Sequence, residues 1–186
     1  AFTIATTGSH TLSLAGIGTG SDFTALVDDV RLTATGITPV TNGGFEVPNL
    51  GGGFQYAPAG ASWVFTGAGI SGNGSGFTSG NPPAPEGVQV AFLQGSGSQV
   101  AQSASIAAGT YTLSIRAAQR GNYQSGTQVL QVLVDGVPVG QYQPPSTAYT
   151  NYQTPAFTIA TTGSHTLSLA GIGAGSDFTA LVDDVR

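Results

Sequence analysis

Apolar and polar residues alternate with a period of two along several short stretches of this chain. The stretches Tyr111–Ala117, Phe157–Ala160 and His165–Leu169 show the alternation, and Val129–Val134 is a more continuous apolar run. Such a period places successive side chains on opposite faces of a β-strand, and Gly, Pro, Asn and Ser bound the stretches. No stretch has a helical period over a useful length. The pattern predicts an all-β protein, a β-sandwich or jelly roll.

Turn residues divide these stretches. Asp135-Gly136 lies between Leu130–Val134 and Val137–Tyr142, which predicts a two-residue β-hairpin. Gly67–Pro85 contains six Gly and three Pro, and this density predicts a long surface loop.

The first 31 residues of the chain are repeated, almost letter for letter, as its last 31. Residues 1–31 and 156–186 are identical at 30 of 31 positions, and only Thr19, opposite Ala174, differs. The offset of 155 residues is the length of a domain rather than of a solenoid repeat. We therefore expect tail strands of a preceding or neighbouring repeat at 1–31, a connector at 32–37 and a complete module at 38–186. Which copy completes the fold stays open.

Composition restricts the partners and the location. The chain of 186 residues has nine acidic residues, four Arg and no Lys, with a net charge of −5, so it lacks a basic patch for nucleic acid. No apolar run approaches the length of a membrane span, and we expect no membrane insertion. Cys and Met are absent as well as Lys. With the abundant Gly, Ser and Thr, this predicts a secreted bacterial protein of the cell surface or matrix.

An ordered set of motifs carries a resemblance to a known family. The motifs are Thr41–Pro48 (TNGGFEVP), Ser62–Phe65 (SWVF), Gly87–Leu93, Gly109–Ser114 and Leu181–Val185 (LVDDV). Together they resemble secreted carbohydrate-binding modules with the galactose-binding-like jelly-roll fold, which occur in exported bacterial surface and matrix proteins. The resemblance implies this fold for residues 38–186 and says less about function.

The resemblance also implies a candidate calcium site. In that family the first and last strands lie side by side, and a structural calcium ion often sits near them. The matching carboxylates are Glu46 in NGGFE and Asp183 or Asp184 in VDDV. Asp177 is a weaker candidate, and Asp28 holds the position of Asp183 in the first copy. Calcium binds hard oxygen ligands, which two carboxylates and backbone carbonyls could supply. The alternative is that these acids are solvated residues at strand ends.

Aromatic residues in loops are the candidates for sugar binding. Tyr123 lies beside Arg120 and Asn122, and Tyr149 and Tyr152 share the segment TAYTNY. Aromatic faces with amides and a guanidinium group nearby suit sugar recognition. The alternative is that these tyrosines cover sandwich edges or contact other modules.

Catalytic residues are not indicated. His10 and His165 occupy the same position in the two copies, and no sharp nucleophile turn or positioning carboxylate accompanies them in the sequence. Glu46 and Glu86 could form a glycosidase pair, but calcium or capping explains Glu46 better, and Glu86 lies in a Pro-rich segment. We expect no enzymatic activity.

The sequence favours a structural function. Near-identity of the copies suits an extracellular fibre, sheath or adhesin stalk, assembled from copies of the chain by strand sharing between modules. The alternative is a carbohydrate-binding module for a cell-wall or matrix glycan.

Overall fold

The structure, a computed structural model, describes residues 10–15, 40–123 and 126–186. The described residues form thirteen strands with antiparallel pairing, which confirms the predicted all-β class. They include no helix, and therefore none that could cross a membrane. The strands are β1 (Phe54–Tyr56), β2 (Val64–Thr66), β3 (Ala68–Gly72), β4 (Gln89–Gln94), β5 (Gln99–Ile106), β6 (Gly109–Tyr111), β7 (Ser114–Gln119), β8 (Leu130–Val134), β9 (Val137–Tyr142), β10 (Thr150–Gln153), β11 (Phe157–Ile159), β12 (Gly163–Gly171) and β13 (Thr179–Asp183).

Two large sheets enclose the main core. One has six strands in the order β1-β3-β4-β13-β7-β10, and the other has five in the order β2-β5-β12-β8-β9. A short third sheet pairs β11 with β6. This arrangement is the predicted jelly-roll β-sandwich.

The period of two decides which side chains enter the core. In β13, Ala180 and Val182 join the core cluster between the sheets, and Leu181 joins a separate cluster on the outer face of the six-stranded sheet. In β12, Leu169 is fully buried in the main core. Burial of one such leucine contributes about 1.5–3 kcal/mol to folding.

The hairpin at Asp135-Gly136 is confirmed. β8 and β9 pair around it, with Val134 opposite Val137. Both turn residues have positive φ, 50° at Asp135 and 76° at Gly136. Two positive φ values in a two-residue loop are what a type I′ turn requires, and the twist of that turn matches the twist of the strands.

The predicted surface loop Gly67–Pro85 is wrong over its first part. Residues 68–72 form β3, all of whose residues are buried between β1 and β4. The glycines that suggested a loop serve close packing, since a Cβ on Gly69 would lie 2.1 Å from the backbone oxygen of Gln55. The remainder lies over the outer face of the six-stranded sheet, where it buries Phe77.

The two ends of the module meet, although the first and last strands are not paired as the resemblance implied. β1 is at an edge of its sheet, whereas β13 lies between β4 and β7. The contact is made by the turn before β1, where the oxygen of Gly43 accepts a hydrogen bond from Val185 N at 3.0 Å. A Cβ on Gly43 would lie 2.3 Å from the oxygen of Val185, so glycine is required here. Nearby, Trp63 is buried in the core and its Nε1 donates to the oxygen of Asn42 at 2.9 Å.

Residues 156–186 supply β11, β12 and β13. Of the first copy the structure describes residues 10–15, which are exposed and are not in a strand. The remaining residues of 1–31, and the predicted connector 32–37, lie outside the described residues.

Candidate functional site

Aromatic side chains gather on the outer face of the six-stranded sheet. Phe54 and Tyr56 project from the edge strand β1 toward Phe92 of β4, with ring centroids 6.4 and 4.8 Å from that of Phe92. Phe77, from the loop that covers this face, stacks on Phe92 at 3.9 Å. Phe77 and Phe92 are buried, whereas Phe54 and Tyr56 are 48% and 44% exposed. The result is an aromatic surface with a buried base.

Two glycines give these rings room to approach. A Cβ on Gly69 would lie 2.8 Å from Phe92 Cζ, and a Cβ on Gly76 would lie 3.0 Å from Phe54 Cε1. A larger residue at Gly69 would displace the ring of Phe92. The spacing of the aromatic surface therefore depends on positions that have no side chain.

Polar side chains border the aromatic rings. The Tyr56 hydroxyl donates to Gln94 Oε1, and Gln94 Nε2 donates to Asp177 Oδ1. Arg120 Nη1 lies 3.5 Å from the same oxygen of Asp177. Burial raises the pKa of Tyr56, an effect opposed by the charge of Arg120 and reinforced by that of Asp177, so its hydroxyl remains a neutral donor.

Arg120 is the most constrained side chain of the group. Its guanidinium carbon lies 4.2 Å from the ring centroid of Phe77 and 5.7 Å from that of Tyr123. Its Nε donates to Asn122 Oδ1 at 2.7 Å, and its Nη2 donates to the oxygen of Gly76 at 3.0 Å. The side chain is only 8% exposed. A cation held between aromatic rings and largely removed from water interacts more strongly with them than an exposed one.

We give the name aromatic face to the exposed rings of this region and the polar residues beside them: Phe54, Tyr56, Gln94, Arg120, Asn122, Tyr123 and Asp177. Tyr123 is its most exposed member, at 82%. The face offers flat rings and, beside them, amide and carboxylate groups that can accept or donate hydrogen bonds. This combination suits a ligand with apolar C–H faces and many hydroxyl groups.

The structure brings together part of the predicted sugar-binding set. Arg120, Asn122 and Tyr123 are in contact on the aromatic face. Tyr149 instead packs against the buried cluster beneath the covering loop. Tyr152 lies on the edge strand β10 and pairs with Tyr142, with ring centroids 4.8 Å apart.

The sequence did not indicate Phe54, Tyr56 and Gln94 as members of a site. Phe54-Gln-Tyr56 has the alternation of a strand with two aromatic residues on one face, but it follows three consecutive glycines that suggested a turn. Gln94 carries no recognisable signal. Asp177 was considered as a calcium ligand, and the structure places it against Arg120 and Gln94.

Two of the acidic residues considered for calcium have other partners. Glu46 Oε1 accepts hydrogen bonds from Val88 N and Gln89 N at 2.9 and 2.8 Å. Asp184 pairs with Arg186, and its Oδ2 lies 3.5 Å from Arg116 Nε. Across residues 40–123 and 126–186 no three His, Asp or Glu are arranged to hold a metal ion. Any cation here would depend on backbone carbonyl oxygens for part of its coordination. Asp28 lies outside the described residues.

Asp183 is the one fully buried carboxyl group that the structure describes. Its Oδ2 accepts a hydrogen bond from Glu86 N at 2.8 Å, and its Oδ1 accepts one from Asp184 N at 2.7 Å. Burial, followed by the negative charges of Glu86 and Asp184, raises its pKa to about 7 despite these hydrogen bonds. The hydroxyl of Tyr149 is buried without a hydrogen-bond partner among the described residues, and burial together with the charge of Asp183 raises its pKa.

A second concavity is an apolar cleft of about 450 Å³ at the end of the sandwich. The residues that line it include Ile106, Leu113 and Phe157, together with Val40, Val185 and Arg186. The cleft offers few polar groups to sugar hydroxyls, and a polar ligand needs such groups to fix its orientation. It is therefore a weaker candidate than the aromatic face for binding a glycan.

His165 has a carboxylate partner that the sequence did not reveal. Its Nδ1 lies 2.6 Å from Oδ2 of Asp135, a residue of the β8–β9 turn, and its Nε2 lies 2.8 Å from the oxygen of Thr161. The hydrogen bond to Asp135, then that to Thr161, raises the pKa of His165, and the pair lowers the pKa of Asp135. Both ring nitrogens are occupied by these contacts, which fits a structural role.

Several of the solved structures with a similar fold are carbohydrate-binding modules. TmCBM61, in complex with beta-1,4-galactotriose, matches with a TM-score of 0.51 and 16% identity over 79% of this chain and 94% of its own. The module CBM36, in complex with calcium and xylotriose, matches with a TM-score of 0.44 and 25% identity over 52% and 77%. A family 35 module from Clostridium thermocellum matches with a TM-score of 0.48 and 12% identity over 71% and 93%.

No protein-family model matches the chain, and no curated protein is significantly similar to it. The similarity lies in the fold: the chain is an all-β jelly-roll sandwich of the kind that TmCBM61 has.

Proposed function

We propose that this protein is a carbohydrate-binding module whose ligand lies on the aromatic face. The observation that carries the proposal is the grouping of exposed rings around buried Phe77. Phe54 and Tyr56 contact Phe77 directly, and Arg120 lies over its ring and beside exposed Tyr123. Sugar rings expose C–H groups that stack on aromatic faces, and their hydroxyls need donors and acceptors at the rim. The shared fold with TmCBM61, a module bound to beta-1,4-galactotriose, supports a binding function over a catalytic one.

Binding to neutral β-linked polysaccharides, such as galactan and xylan, tests the proposal by affinity electrophoresis and calorimetry. Tyr123→Ala removes the most exposed ring, and we expect binding weakened roughly tenfold, the equivalent of about 1.4 kcal/mol. Tyr152→Ala is the matched control, because Tyr152 packs against the main core and not against the aromatic face. Equal losses for the two variants, or binding by neither variant nor wild type, would contradict the proposal.

Calcium is a second part of the proposal. We propose a structural ion held by Glu46 and Asp183 together with backbone carbonyl groups. Support comes from the segment that holds both carboxylates, since Glu86 N donates to Asp183 and Val88 N, two residues later, donates to Glu46. A cation would also offset the charges of Glu86 and Asp184 near Asp183. We expect calcium added to chelator-treated protein to raise the melting temperature by several degrees, and Asp183→Asn to abolish the rise. An unchanged melting temperature in wild type would refute the site.

The structural interpretation stays a prediction, as does secretion to the cell surface or matrix. The repeat of residues 1–31 at 156–186 is what favours an assembled fibre. The fold comparisons favour glycan binding instead, and the two are compatible in a surface protein that contains several modules. Sedimentation of the whole chain tests assembly, since a fibre-forming chain would not remain monomeric.

A further inference from the structure

The second copy of the repeat occupies the centre of both large sheets. β12 lies between β5 and β8, and β13 lies between β4 and β7. Without these strands, neither sheet would be continuous and the main core would lose the strands at its middle. We call residues 40–155 the frame, since they contain every other strand of the sandwich.

Every buried side chain that the second copy contributes is also present in the first copy. The buried apolar residues of the second copy are Ile159, Leu167, Leu169, Ala180, Leu181, Val182 and Val185. The residues 155 positions earlier are Ile4, Leu12, Leu14, Ala25, Leu26, Val27 and Val30. The single difference, Thr19 for Ala174, falls at an exposed turn position. The first copy can therefore make the same apolar contacts and the same backbone pairing with the frame.

The described part of the first copy leaves its apolar residues in water. Leu12 and Leu14 are 56% and 64% exposed, whereas the corresponding Leu167 and Leu169 are almost entirely buried. Exposed leucines on a segment with strand periodicity are a driving force for docking.

The position of the module's ends makes docking possible within one chain. Val185 is hydrogen-bonded to Gly43, and Arg186 lines the same cleft as Val40. If Arg31 took the place of Arg186, residues 32–39 would have to connect it to Val40. These eight residues can span roughly 25–30 Å, so the connection is easily long enough.

We propose that the frame is completed by residues 1–31 of the same chain as an alternative to residues 156–186. The two completed forms are circular permutants of one fold. When the second copy completes the frame, three residues join β10 to β11; when the first copy does, eight residues join it to Val40. The shorter connection costs less loop-closure entropy, which favours the form with the second copy by roughly fourfold. Each form uses one of the two copies to complete the sandwich.

Substitutions in the full chain test this proposal. Leu169→Asp places a charge in a fully buried site of the second copy, and Leu14→Asp makes the equivalent change in the first copy. We expect either single variant to show the Trp63 fluorescence of wild type, to unfold cooperatively and to sediment as a monomer. The double variant should be unfolded, because neither copy can then complete the frame.

Leu130→Asp is the matched control. Leu130 is as deeply buried as Leu169 and lies on β8, the strand that pairs with β12, but it has no duplicate in the chain. We expect this single substitution to unfold the protein. The proposal is overturned if Leu169→Asp unfolds it as completely as Leu130→Asp does. It is also overturned if Leu169→Asp folds only as a dimer, since the first copy would then act on a second chain.

Discussion

Arg120 is held by several contacts of its guanidinium group. The rings of Phe77 and Tyr123 lie near it, and Asn122, the oxygen of Gly76 and Asp177 contact its three nitrogen atoms. A side chain fixed in this way pays little conformational entropy when a ligand binds. The sequence suggested Arg120, Asn122 and Tyr123 because they are neighbours in the chain, but their partners come from distant segments.

The pair of His165 and Asp135 predicts a pH-dependent stability. The raised pKa of His165 means that its contribution is present below the unfolded value of about 6.5 and is lost as pH rises through the folded value. The lowered pKa of Asp135 means that its contribution is present above about 3.9 and is lost as pH falls through the folded value. The pair therefore stabilises most between about pH 4 and 6.5.

Asp135→Asn isolates this effect, since Asn-Gly also forms a type I′ turn and keeps an acceptor for Thr166 N. We expect the melting temperature of the variant to fall below that of wild type near pH 5.5 and to approach it near pH 9. A difference that is constant across this range would show that the ion pair contributes nothing.

At the scale of elements, β3 shows how a strand can resemble a loop. Its sequence, Ala-Gly-Ile-Ser-Gly, has two glycines and is followed by a glycine- and proline-rich segment. In the structure these glycines allow β1 and β3 to bring Tyr56 over Phe92. Local turn propensity was outweighed by burial between two neighbouring strands, which a local pattern does not reveal.

Gly69→Ala tests this packing. The added Cβ would lie 2.1 Å from the oxygen of Gln55, a backbone atom that cannot move alone, and we expect a loss of about 1–3 kcal/mol in unfolding free energy. Glycan binding should weaken as well, because β1 carries Phe54 and Tyr56. Gly52→Ala is the control, since nothing lies within 4 Å of its added Cβ. Urea unfolding that gives the same stability for both variants would contradict the account.

At the scale of the whole molecule, the sheet order places the duplicated segment where its loss would matter most. The interior strands β12 and β13 belong to the last 31 residues, so neither large sheet is complete without the end of the module. If the first copy can complete the frame as proposed, its repeat of the residues that are buried in the second copy would supply the same strands earlier in the chain. Repetition in this chain thus bears on how the sandwich is completed as well as on the number of modules.

The sequence by itself determined the properties that depend on neighbours in the chain. The alternation of apolar and polar residues gave the all-β class, the Asp135-Gly136 dipeptide gave its hairpin, and the identity of 1–31 with 156–186 gave the repeat. The tertiary structure alone decided the aromatic face, whose members come from β1, β4, the segment after β7 and the turn before β13. Their meeting depends on the order β1-β3-β4-β13-β7, which brings segments more than a hundred residues apart into contact, and no local pattern encodes that order.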